Sequence, residues 1–144
     1  MSSGATRYVG LTTLVLTLLL GLQSCGMTTA KPKAEAAVGA FHDELNAGDF
    51  DAIWSGADDA FRKATTRESY DRFMQAVHRK LGKALKTVNA NWTVRNFNLK
   101  TTVVLLQKTD FEHGSGNETF TYVVTGDAVK LVGYNIQSTD LITL

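Results

Sequence analysis

Cysteine and histidine are the side chains of this sequence best suited to nucleophilic or metal chemistry, and both are scarce. Cys25 is the sole cysteine, so no intrachain disulfide can form. The three histidines, His42, His78 and His113, lack the HxxxH or HxH spacing of a metal site. We expect all three to be ordinary surface residues. The stretch "GSG" at 114–116 is too short for a serine nucleophile elbow. The sequence therefore predicts no catalytic residue, metal or cofactor.

Cys25 directly follows an apolar leader. Arg7 is the only charged side chain of the leader, and residues 9–22 form an uncharged run of 14 residues. A helix needs roughly 20 residues to cross a bilayer. A charged start, a short apolar centre and a small-residue end are typical of a secretory signal peptide. We therefore expect residues 1–24 to be a signal that the cell removes.

The end of the leader resembles the lipobox of bacterial lipoproteins. Leu22 lies three residues before the cysteine, Gln23 occupies the middle place, and the small residue Ser24 directly precedes Cys25. The resemblance implies diacylglyceryl transfer to the Cys25 thiol, cleavage between Ser24 and Cys25, and usually acylation of the new amino terminus. An ordinary signal peptide with a chance cysteine is the alternative.

The lipid on Cys25 would make the membrane the first partner of the mature chain. One acyl chain binds a bilayer only marginally, whereas two or more hold a protein stably. Gly26 follows the cysteine, in place of the aspartate that retains many enterobacterial lipoproteins in the inner membrane. We therefore expect a cell-envelope protein on the outer membrane, facing the periplasm.

The charge of the mature chain argues against nucleic acid as a partner. Without Arg7, the chain has 14 basic and 14 acidic side chains, and no basic field of the kind that nucleic-acid binding requires.

Residues 25–33 contain the only proline, Pro32, and are small and polar. We predict a lipidated cysteine and a tether there, with a reach of at most about 28 Å when extended, and a single domain over residues 34–144.

The first half of the domain has helical periodicity. Ala37, Val38, Phe41 and Leu45 recur at spacings of three and four, as do Tyr70, Phe73, Met74, Val77 and Leu81. Asp49 is a candidate helix cap, as is Thr65 or Thr66, while Gly48 and Gly82 have the positions of helix ends.

The second half changes to strand periodicity. Val88, Ala90, Trp92 and Val94 alternate with polar residues, and residues 101–111 form a more continuously apolar stretch. Residues 113–117, "HGSGN", are predicted to be a loop, and Gly126–Asp127 a hairpin turn. Helices followed by an antiparallel meander predict an α+β fold, with the helices on one face of the sheet.

The stretches "FHDELNAGDFDAIW", "RKLGK" and "KLVGYNIQSTDLI", with the pair Gly133–Tyr134, resemble the nuclear-transport-factor-2-like (cystatin-like) superfamily. Within it, the chain looks like bacterial lipoproteins of uncharacterised families. The resemblance implies N-terminal helices packed on a curved four-stranded antiparallel sheet that encloses a conical cavity. Related folds use this cavity as an enzyme site, a ligand pocket or nothing, and fold alone does not decide among these.

Three functions follow from that resemblance. An isomerase-like enzyme would need inward tyrosines, from Tyr70, Tyr122 and Tyr134, with Asp58 or Asp110 as the base. A binding protein would take a small apolar ligand in a pocket formed by Trp54, Phe61, Tyr70, Phe73, Met74 and Trp92.

A non-catalytic interaction module, which we favour, would pair its sheet face with a second copy or another envelope protein. Phe120, Tyr122 and Val124 alternate with Thr119, Thr121 and Val123, which gives the third strand a mixed outer face.

Overall fold

Four helices precede a four-stranded antiparallel sheet in the computed structural model, which describes residues 25–142, with side chains from residue 29 onward. The helices are α1 (Cys25–Ala47), α2 (Phe50–Gly56), α3 (Asp59–Ala64) and α4 (Arg67–Leu81). The strands are β1 (Ala84–Phe97), β2 (Lys100–Phe111), β3 (Gly114–Thr125) and β4 (Ala128–Gln137), and a 3-10 turn (Thr139–Leu141) follows. The predicted signal peptide, residues 1–24, and its predicted cleavage position at Ser24 lie outside the described residues.

The strands pair in sequence order, β1-β2-β3-β4, each antiparallel to its neighbour. All four helices lie on one side of this sheet, which confirms the predicted α+β arrangement and fits a nuclear-transport-factor-2-like cone. We call the helix-covered side the inner face and the other side the outer face. Short turns connect the strands, including the predicted one at Gly126, which has φ 60°.

The helix boundaries follow from local capping chemistry. The Asp49 carboxylate accepts a hydrogen bond from the Ala52 N–H, and Asp58 accepts one from the Ala60 N–H. Thr66, one of the two predicted caps, caps α4 by accepting from the Ser69 N–H. Gly82 ends α4 with φ 74°, as predicted.

The segment predicted to be a tether is helical. α1 begins at Cys25 and includes Pro32. Ala30 and Ala34 are buried with Val38, so the apolar stripe of α1 extends back through the predicted tether. Eight helical residues rise about 12 Å, whereas eight extended residues span up to about 28 Å. α1 therefore holds the domain closer to Cys25 than an extended tether would.

Two strand predictions need correction. The register shifts between Asn89 and Asn91, where Ala90 is a bulge, so Val88 lies on the outer face and is 52% exposed. The predicted loop at residues 113–117 is mostly strand, because β3 begins at Gly114. Gly116 suits this strand because the Ile136 side chain packs where a Cβ would lie, 2.9 Å away.

Candidate functional site

A recess of about 320 Å³ opens between α3, α4 and the edge strand β4. Its apolar lining comes from Phe61, Phe73 and Met74, together with the rings of Tyr70 and Tyr134. Met74 is fully buried, whereas Phe73 is 39% exposed at the mouth. The volume is at the lower end of the roughly 300–1,000 Å³ of small-molecule sites.

Four of the six residues predicted to form a pocket therefore line one recess. Trp54 lies behind it, with its ring centroid 4.9 Å from that of Tyr70 and 6.1 Å from that of Phe61. Trp92 lies apart, half-exposed on β1, where the Lys31 ammonium is 5.5 Å from its ring centroid. Trp92 is not part of the recess, because β1 and β4 are opposite edges of the sheet.

A fully buried carboxylate, Glu118, lies on the inner face of β3. Thr109 donates a hydrogen bond to its Oε2 (2.5 Å), and His42 Nε2 lies 2.8 Å from the same oxygen. The Tyr134 hydroxyl donates to Oε1 at 2.7 Å. Both carboxylate oxygens are thus satisfied by protein groups, as a buried charge requires. We call Glu118, His42, Thr109 and Tyr134 the Glu118 network.

The network extends one residue further toward the edge of the sheet. The Thr87 and Thr109 hydroxyl oxygens are 2.6 Å apart, with Thr87 on β1 opposite Thr109 on β2. Because Thr109 donates its proton to Glu118, it accepts from Thr87. Side chains of β1, β2, β3, β4 and α1 are therefore joined by one chain of hydrogen bonds across the inner face.

Tyr134 connects the network to the recess. Its ring lines the recess and packs 4.6 Å from Phe41 and 5.0 Å from Phe120, measured between ring centroids. Burial and the neighbouring Glu118 carboxylate raise the pKa of Tyr134 well above its usual value. Since its proton is directed at Glu118, the hydroxyl can offer a recess ligand only an oxygen lone pair.

The other two tyrosines of the predicted enzyme site are also buried. Tyr70 donates to the Phe50 carbonyl at 3.0 Å, and burial raises the pKa of Tyr70. Burial likewise raises the pKa of Tyr122, with a smaller contribution from Glu118. The predicted bases lie elsewhere, since Asp58 caps α3 and Asp110 is exposed on the outer face. The carboxylate that does meet a tyrosine is Glu118, which the sequence reasoning missed.

The prediction of surface histidines was wrong for His42. It is 8% exposed, and its ring lies 6.0 Å from that of Phe41 and 5.8 Å from that of Phe120. His78 is half-buried against Phe50, and only His113 is exposed. Two sequence signals could have revealed the network. His42 lies four residues after Val38 and three before Leu45, and Glu118 continues the alternation of Phe120 and Tyr122.

No cluster of three or more metal-ligating side chains occurs within residues 25–142. A larger hollow, about 690 Å³, lies around the 3-10 turn, and its charged lining residues Lys108 and Asp110 are exposed. It is a surface depression with no buried ionisable side chain. The recess beside Tyr134 is therefore the better candidate for a ligand.

The outer face of the sheet forms a second candidate site. Two neighbouring rows across its centre are uncharged: Asn91, Leu106, Thr119 and Asn135, then Thr93, Val104, Thr121 and Gly133. Charged residues lie in the rows that flank these two, with Lys108 in the row on one side and Arg95 and Lys130 in the row on the other. An uncharged centre with a charged rim is the pattern of protein–protein interfaces.

Comparisons with known proteins add little to this geometry. No protein-family model matches the sequence, and no curated protein matches it. The chain is similar in fold to the structure of Bd1075 from Bdellovibrio bacteriovorus, with a TM-score of 0.49 and 14% sequence identity. The match covers 75% of this chain and 40% of that protein. The α+β assignment therefore rests on the element order and strand pairing described above.

Proposed function

We propose that the chain is a lipid-anchored protein of the bacterial cell envelope, whose domain is a non-catalytic interaction module. The order Leu22, Gln23, Ser24, Cys25 supports cleavage after Ser24 and lipid attachment to Cys25. Gly26 supports the outer membrane, with the domain facing the periplasm. Within residues 25–142, no helix is both long and apolar enough to cross a bilayer.

The uncovered outer face is the observation that carries the interaction role. The helices cover only the inner face, and the centre of the outer face is made of threonine, asparagine, valine and leucine side chains. The outer face is four strands wide, and its length along β2 is the six-residue interval from Thr102 to Lys108. At the usual strand spacing and rise per residue, its area is about 400 Å². A standard interface needs about 800 Å² per partner. The outer face therefore suits a weak or transient partner, either a second copy or another envelope protein.

The Glu118 network supports a structural role for the only fully buried carboxylate among the described residues. A general base must reach a substrate proton with a free oxygen lone pair at hydrogen-bond distance. The Glu118 carboxylate is already hydrogen-bonded to Thr109, His42 and Tyr134. Glu118 is also 0% exposed. An isomerase-like reaction at Glu118 would first have to break these hydrogen bonds.

Site-specific photocrosslinking tests the interaction role. A benzophenone amino acid replaces Thr119, at the centre of the outer face, in the full chain expressed in bacteria. The matched control replaces Gln75, which is exposed on α4. We expect a discrete crosslinked product at residue 119 that Thr121→Arg weakens, because the arginine places a charge in the uncharged centre. Equal, diffuse crosslinking at both positions would contradict the proposal.

Binding of a small apolar ligand is the second candidate, and the recess beside Tyr134 favours it. Native mass spectrometry of the purified full chain in detergent would reveal a bound molecule of fixed stoichiometry. Ala64 lines the recess and is exposed, so Ala64→Trp should fill the recess without entering the core. Loss of the bound mass in this variant supports the ligand, and retention of the mass argues against this recess as its site.

A further inference from the structure

The tip of the β1–β2 hairpin exposes two large apolar side chains. Phe97 is 78% exposed and Leu99 is 100% exposed. Between them, Asn98 begins the two-residue turn that joins the strands. Neither side chain is buried inside the domain, and together they place an apolar pair at one exposed end of the sheet.

Leu99 also has a backbone conformation that disfavours leucine. Asn98 has φ 47° and Leu99 has φ 63°, so both central residues of the turn are left-handed. Such turns ordinarily carry Asn-Gly, because glycine has no Cβ to clash. Asn98 fits that pattern, whereas Leu99 replaces the glycine and strains the backbone. The chain thus keeps an apolar side chain at a position where folding alone would favour glycine.

The tip lies at the same end of the domain as the start of α1. Thr29 and Lys33 of α1 and Leu99 of the tip line one surface hollow of about 370 Å³. At this end the Lys33 ammonium donates to the Gly126 carbonyl at 2.8 Å and to Asp127 Oδ1 at 2.7 Å. Cys25 begins the same helix four residues before Thr29, a rise of about 6 Å. The chain therefore leaves the domain toward its predicted lipid beside the exposed tip.

Three cations lie at the tip end of the sheet. Lys100 follows the tip directly, and Arg95 and Lys130 lie in the outer-face row nearest to it. None of the ion pairs among the described residues involves these three cations. The nearby Asp127 carboxylate is neutralised by Lys33, which also lowers the pKa of Asp127. Exposed apolar side chains with cations at the same end of the sheet match the boundary between anionic headgroups and acyl chains.

We propose that the β1–β2 tip is a second membrane contact, which inserts Phe97 and Leu99 into the bilayer surface beside the lipid anchor. The inference rests on the proposed anchor at Cys25. Two contacts at one end of the domain would set its orientation, with the strands running away from the membrane. The outer face would then stand clear of the bilayer and remain open to a partner.

A fluorescent label at the tip tests this contact in the full chain. Leu99→Cys carries a nitrobenzoxadiazole label, and the lipidated chain is reconstituted in vesicles of phosphatidylethanolamine and phosphatidylglycerol. The Cys25 thioether of the lipidated chain does not react with the label. We expect a blue-shifted emission that doxyl lipids quench, and a loss of quenching in the Phe97→Ser background. The control label at Asn117→Cys, exposed toward the other end of β3, should show neither effect.

Three results distinguish the tip from the anchor. A label at residue 99 of the lipidated chain with the emission of a water-exposed dye overturns the tip contact. A blue shift without doxyl quenching also overturns it, because the tip is then buried against protein. The intact mass of the same sample reports the anchor separately: a missing lipid removes the anchor and the inference that rests on it, whereas a lipidated chain with a water-exposed label removes only the tip contact.

Discussion

Replacing Tyr134 with phenylalanine tests whether the Glu118 network is a structural element. The substitution removes one hydroxyl and leaves the ring contacts with Phe41 and Phe120 in place. Glu118 then loses the 2.7 Å hydrogen bond to Oε1, while Thr109 and His42 still bond to Oε2. One carboxylate oxygen is therefore left without its donor in a fully buried site.

The expected loss follows from the charge of the acceptor. A hydrogen bond to a charged group contributes about 1.5–3 kcal/mol, and a neutral one about 0.5–1.5 kcal/mol. Tyr134→Phe should therefore lower the free energy of unfolding by about 2 kcal/mol. For a domain of this size, about 4 °C per kcal/mol gives a fall of about 8 °C in Tm.

Tyr70→Phe is the matched control. Tyr70 is also buried, but its hydroxyl donates to the neutral Phe50 carbonyl at 3.0 Å. Its loss should lower the free energy of unfolding by about 1 kcal/mol. Chemical denaturation and thermal melts of both variants measure the difference. Equal effects, or no effect of Tyr134→Phe, would refute the reasoning, because Glu118 would then be satisfied by water and accessible to a substrate.

Four further perturbations, a change of pH and three substitutions, test the energetics of the domain. The three buried tyrosines, Tyr70, Tyr122 and Tyr134, have raised pKa values and keep their protons in the folded chain above about pH 10, whereas the unfolded chain loses them. The free energy of unfolding should therefore fall by up to about 1.4 kcal/mol per pH unit for each tyrosine. Chemical denaturation at increasing pH measures this fall. Leu99→Gly should raise the free energy of unfolding by about 1 kcal/mol by relieving the left-handed leucine, and an unchanged value would mean that the turn is not strained. Gly39→Ala, exposed within α1 with open space around its Cβ, should stabilise by about 0.5–1 kcal/mol. Gly82→Ala should destabilise by more than that, because its φ is 74° and its Cβ would lie 2.6 Å from Glu112 Oε2; a reversed order in thermal melts would contradict this contrast.

The elements of the fold could be predicted from the sequence where local chemistry determines them. Caps and periodicity located the helices after residue 34, since Asp49, Thr66 and Gly82 act through their nearest neighbours. The predicted tether illustrates a limit of composition. Its small polar residues and proline resemble a linker, but Ala30 and Ala34 continue the buried stripe of Val38.

The residue pattern within one strand did not predict how the strands pair. The bulge at Ala90 depends on how β1 aligns with β2, and it moves Val88 to the outer face. In the candidate site, the sequence placed Phe61, Tyr70, Phe73 and Met74 in a common pocket but did not separate Trp92 from them. Edge-to-edge distance across a sheet depends on strand order, which periodicity does not specify.

The polar part of the site was missed for a different reason. Searches for histidine spacing and for aspartate bases look for residues that are close in sequence, whereas His42 and Glu118 are 76 residues apart. Their positions on apolar stripes were the available signal. A charged residue that continues the buried side of a strand needs a partner, and the helix above the strand is where that partner lies.

The intact mass of the chain isolated from bacterial membranes tests the central claim most directly. We expect a chain that begins at Cys25 and carries the mass of a diacylglyceryl group with a further acyl chain, and Cys25→Ser should lose that mass and the membrane association. A chain that keeps residues 1–24, or one that begins near Cys25 with an unmodified thiol, would contradict the lipid anchor and the membrane-bound role built on it.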